Sequence, residues 1–89
     1  MVESCLEKNG GSEEREKQED ADAFFVLGTR YSTGRDVEHD LVAAHKWFNL
    51  AAMKGNSDAA RYRQEIAGEL SAAQIAEAQR AAREWLAHA

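Results

Sequence analysis

The chain has no proline and only one cysteine among its 89 residues. Without proline no ring interrupts a helix from within, so helix ends must be set by glycine and by capping side chains. The lone thiol, Cys5, allows no internal disulfide and falls short of a thiolate metal site, a usage that suits a reducing compartment. Long apolar stretches are missing too. The longest strictly apolar run is residues 23–27, far below the roughly 20 residues of a bilayer span, and residues 1–20 are too polar for an export signal. Positive charge is in deficit, with 11 Lys and Arg against 16 Asp and Glu and a net charge of −5. Phosphate backbones and anionic lipid surfaces, which need a surplus of bases, are therefore excluded as expected partners. The expectation is a cytoplasmic chain whose partner is another protein, with neither nucleic acid nor membrane involved.

At 9.9 kDa the chain suffices for one small core. Its charge is unevenly placed: the first twenty residues hold seven acids and three bases, net −4 of the total −5. Val2, Cys5 and Leu6 are their only large apolar groups besides Met1, too little burial to offset chain ordering, so residues 1–19 are expected to form an acidic disordered arm. The alternative is a helix over residues 13–18, capped by Ser12 and continuous with the next one.

From Ala21 onward the apolar residues recur at helical spacing and the fold expected is all-α, as two antiparallel helix hairpins. Helix one runs from about Asp20, its expected N-cap, to Tyr31, with Phe24, Leu27, Gly28 and Tyr31 inward and Phe25 at the edge of that face. A loop over 32–39 includes Gly34, available for a left-handed turn. Asp40 caps helix two, which closes at Gly55 and carries two adjacent apolar rows: Leu41, Ala44, Phe48 and Ala52 beside Ala43, Trp47 and Leu50. Two rows mean two packing neighbours. Asn56 or Ser57 caps helix three, which runs to about Leu70 with Ala59, Tyr62, Ile66 and Leu70 on one face. Ser71 and Gln74 form a capping box that starts helix four, which turns Ile75, Ala78, Ala82 and Trp85 or Leu86 inward.

The segment from Ala21 to Gly55 resembles a Sel1-like repeat, the αα relative of the tetratricopeptide repeat. The resemblance rests on Leu27, Gly28, Tyr31, Gly34, Trp47, Phe48, Ala51, Ala52 and Gly55 at their spacing, together with Ala21, Ala23, Val37, Asp40 and Ala44, and covers 35 of 89 residues. It implies one repeat hairpin over 20–55 followed over 56–89 by a capping helix pair of the kind seen in bacterial members. Two departures stand out: Asp36 occupies a place where the family has glycine, and Ala43 one where lysine is common. The resemblance further implies a non-enzymatic protein–protein interaction module, an adaptor or scaffold in assembly or signalling. The alternative function is a regulatory or inhibitory subunit that docks on a single enzyme.

No catalytic, cofactor or metal site is expected. His39, Asp40 and His45 come nearest to a ligand set, but the two histidines are six residues apart and would leave a helix on different sides. Asp40 reads as a cap, His45 as an edge residue, and His88 as a cation near a helix C-terminus. Trp47 and Trp85 stand at helical spacing on apolar faces and read as core. Arg61, Arg63, Arg80 and Arg83 read as a solvated face, or as a groove for an acidic peptide or the chain's own arm. The candidate partner-binding residues are Phe24, Phe25, Val26 and Arg30 on helix one. Helical geometry puts Phe24 near the middle of the inward arc and Val26 about half a turn away, so at least one faces outward, and exposed together with Phe25 they would form an apolar patch. A homodimer through helix one would cover it, and a different protein partner is the competing occupant.

Overall fold

The computed structural model describes residues 19–88. The expected acidic arm and its helical alternative lie outside that range, apart from Glu19, which is already helical. Within it the fold is all-α, four helices in two consecutive hairpins, and no described helix is long and apolar enough to cross a membrane. Helix α1 covers residues 19–33, α2 Leu41–Met53, α3 Ser57–Ala67 and α4 Ala72–His88.

Capping chemistry sets most of these ends. The Asp40 carboxylate accepts from the N–H groups of Val42 and Ala43, satisfying two of the free donors that open α2. The Asn56 side chain accepts from Ala59 N–H at 3.0 Å. Ser71 and Gln74 satisfy each other: the Ser71 N–H donates to Gln74 Oε1 at 2.9 Å and the Gln74 N–H to Ser71 Oγ at 3.1 Å. Gly55, at φ 108°, closes α2 while the N–H of Asn56 reaches back to the Ala51 carbonyl, the paired-bond ending that a left-handed residue makes possible.

Three boundaries differ from the sequence-based expectation. Asp20, expected to cap helix one, already lies within α1, because Glu19 before it is helical. Helix α1 continues two residues past Tyr31, where the hydroxyls of Ser32 and Thr33 both donate to the Thr29 carbonyl and Gly34, at φ 75°, supplies the turn. Helix α3 stops at Ala67 rather than Leu70. From Gly68 the N–H groups bond only three residues back, to Glu65, Ile66 and Ala67, and the helix unwinds into a tight turn.

Helix α2 is the common packing surface, in contact with α3 and α4 and meeting α1 through aromatic rings. Two aromatic triads hold the arrangement. Phe24 of α1 stacks on Trp47 of α2 at 5.7 Å, and Trp85 of α4 stands edge-on to both rings at 5.1 and 5.7 Å. Phe25, the next residue, joins Phe48 of α2 and Tyr62 of α3, with every pair of ring centroids within 5.6 Å. Adjacent positions on α1 thus serve opposite ends of the core, one binding α1 and α2 to α4 and the other to α3. Offset and edge-on pairs of this kind contribute roughly 0.5–1.5 kcal/mol each beyond their buried area.

Candidate functional site

The face proposed from sequence on helix one is only partly a surface. Phe24 is 7% exposed and belongs to the core, which removes it from the candidate partner-binding set. Its ring occupies the angle between Trp47 and Trp85, in keeping with its place on the inward row of helix one, although that row alone could not show that Trp85, far along the chain, closes over it. Phe25 is half-buried against Phe48 and Tyr62, whereas Val26 is 47% exposed and Arg30 is exposed. Phe25, Val26 and Arg30 do come together. With Thr29, Arg35 and Asp36 they line an open hollow of about 520 Å³ at the C-terminal end of α1. The lining combines the Phe25 ring and the Val26 side chain with two guanidinium groups and the Asp36 carboxylate, apolar and arginine content of the kind enriched in protein-docking surfaces.

The hollow's shape depends on the loop beyond α1. The N–H of Arg35 bonds to the Arg30 carbonyl at 3.0 Å, and the Asp40 N–H bonds to the Tyr31 carbonyl at 3.0 Å. Asp36 has φ 66°, a left-handed conformation that aspartate tolerates better than most side chains. This is the position at which the Sel1-like pattern places glycine.

A second hollow, about 500 Å³, lies between α3 and α4 over α2 and is lined by His45, Asn49, Arg63, Gln64, Ala67, Ile75 and Gln79. The reading of His45 as an edge residue is corrected here: it is 3% exposed and its Nδ1 has no hydrogen-bond partner. Burial lowers its pKa from the usual histidine range, and the Arg63 charge acts in the same direction. Helical spacing alone could not reveal this, because the walls that enclose His45 come from α3 and α4. His39 is exposed in the loop. Among the described residues no three His, Cys, Asp or Glu side chains converge.

The lowered pKa has a signed consequence for stability. The unfolded chain takes up this proton near pH 6.5, the ordinary value, while the folded chain resists it. Stability contributed by neutral His45 is complete above about pH 6.5 and is lost as pH falls below it. Thermal melts at about pH 7.5 and about pH 5.5 should show lower stability in acid, and the difference should shrink in His45→Gln. An equal acid loss in both proteins would assign it elsewhere.

No family model, curated protein or solved structure matches the chain.

Proposed function

We propose that this chain is a non-enzymatic protein-interaction module of the Sel1-like repeat kind, a cytoplasmic adaptor that docks a protein partner on the outer face of α1. The observation that carries this reading is the hollow beside Val26, where a half-exposed aliphatic side chain and the Phe25 ring lie next to Arg30 and Arg35. Apolar area beside two guanidinium groups, set against the one carboxylate of Asp36, suits a protein partner with an apolar anchor.

The repeat character is supported by backbone geometry at the marker positions. Gly34 and Gly55 have positive φ, as does Asp36, and a methyl group on Gly28 would collide with the Phe48 ring at 2.6 Å. Gly28, Gly34 and Gly55 thus occupy positions that need what glycine provides, and Asp36 adopts the left-handed conformation at a place where the pattern has glycine.

Val26→Asp tests the reading. A carboxylate at this exposed site should change stability by no more than about 0.5 kcal/mol while abolishing partner capture and any self-association. Sedimentation equilibrium and affinity capture with the wild type and the variant separate the occupants. A concentration-dependent dimer lost in the variant identifies a second copy, several captured proteins an adaptor, and one stoichiometric enzyme a regulatory subunit. Association and capture unchanged by the substitution would remove α1 from the interface.

A further inference from the structure

Four arginines lie on α3 and α4, and the structure treats one of them differently. Arg61, Arg80 and Arg83 are exposed, Arg61 with Asp58 at 3.6 Å. Arg63 is half-buried, and its Nη1 donates to Asn49 Oδ1 at 2.6 Å across the cleft. That bond holds the guanidinium in place while using one of its five donors. Among the described residues no carboxylate lies within ion-pair distance of Arg63, and no acidic side chain lines the cleft. Among the described residues its charge is thus positioned by a hydrogen bond but not matched by a carboxylate.

His45 supplies the second observation. It lines the same cleft while being almost wholly buried, with Nδ1 unpartnered. Buried polar atoms without partners are uncommon, and leaving one unmade costs free energy.

We propose that the cleft between α3 and α4 binds a carboxylate group, with the Arg63 guanidinium as its charge partner, the side-chain amides of Gln64 and Gln79 as additional donors, and the buried His45 ring beside them. A carboxylate matches the planar fork of one guanidinium. A phosphate dianion would call for more positive charge than the single cation lining this cleft provides. Ile75 adds an apolar wall, against which a short aliphatic chain attached to the carboxylate can lie. The volume, about 500 Å³, falls within the ordinary range of small-ligand sites. Two sources share this chemistry: a free short-chain organic acid and a glutamate side chain of a polypeptide.

Binding is linked to protons. Arg63 on α3 is the one charged side chain lining the cleft besides His45; α4 contributes Ile75 and Gln79, and α2 contributes Asn49. A bound carboxylate is therefore the only anion to reach the imidazole from the described lining. It favours the protonated ring that Arg63 and burial oppose, so affinity rises as pH falls.

The full chain is titrated with sodium butyrate and with N-acetylglutamate α-amide, against sodium chloride at matched ionic strength and sodium phosphate, while NMR follows the His45 ring and the Arg63 Nε–H. Saturable shifts at both residues are expected, with binding at least about threefold tighter near pH 5.5 than near pH 7.5. Arg63→Gln should weaken binding by roughly tenfold or more with an unchanged helical circular dichroism spectrum, and Gln79→Leu should weaken it less. Tighter binding of butyrate points to a free acid as the natural ligand, and tighter binding of the glutamate derivative to a polypeptide side chain. Shifts that never saturate, that chloride reproduces, that survive Arg63→Gln, or that phosphate elicits in place of butyrate would overturn the proposal.

Discussion

Truncating Trp47 to alanine should lower stability by about 3 kcal/mol, near the lower end of the range for losing a large aromatic. The indole is half-buried rather than sealed, which argues against the upper end. Its position makes even that cost severe. Trp47 stacks on Phe24 and meets Trp85 edge-on, so its removal loosens the join between α1, α2 and α4 together. Lys46 lies over the ring, with Nζ 4.4 Å from its centroid, and loses a cation–π contact as well. For a small domain this is a large share of the total stability, and the melting temperature should fall by roughly 12–24 °C. Trp47→Phe, which keeps a ring between Phe24 and Trp85, should recover more than half of the loss. A cooperative melt close to wild type in Trp47→Ala, accompanied by loss of a partner, would instead make Trp47 a binding anchor.

Gly28→Ala should destabilise the fold by about 1–2 kcal/mol, although alanine is the better helix former by about 1 kcal/mol. The added methyl would lie 2.6, 2.7 and 2.9 Å from three carbons of the Phe48 ring. Phe48 is fully buried against Phe25 and Tyr62, so its ring has nowhere to retreat and the backbones of α1 and α2 must part. The substitution should therefore couple to Phe48. In a Phe48→Leu background the cost of Gly28→Ala should fall by at least about 1 kcal/mol, and chemical denaturation of the four proteins in the cycle measures that difference. Additive effects would mean that the close approach at Gly28 does not limit the packing of α1 on α2.

What could be read from sequence and what could not divides along the distance between interacting residues. Asp40, Asn56 and the Ser71–Gln74 pair act on N–H groups two or three positions away, so residue type and spacing were enough to locate three helix starts. Gly55 is legible for the same reason, whereas the end of α3 at Gly68 is hidden by an apolar spacing that continues to Leu70. The inward row of helix one, Phe24 included, is readable, but the partner of Phe24 is not, because Trp85 closes over it from the last helix. Arg63 shows the same limit. On sequence it is one of four similar arginines, and only the fold brings it beside Asn49 and His45.

The central position of α2 has a kinetic consequence. Since α1, α3 and α4 each pack against this one helix, neither hairpin can complete its packing without it. Folding should then proceed as one event that condenses around α2, with substitutions at Ala44, Phe48 and Ala51, all fully buried, slowing folding more than they speed unfolding. The pairings of α2 with α1 and α3 join neighbours in the chain, so the reaction should fall among the faster ones. In native-state hydrogen exchange the amides of α2 should open only with the whole molecule, while those near His88 at the end of α4 exchange through local fraying.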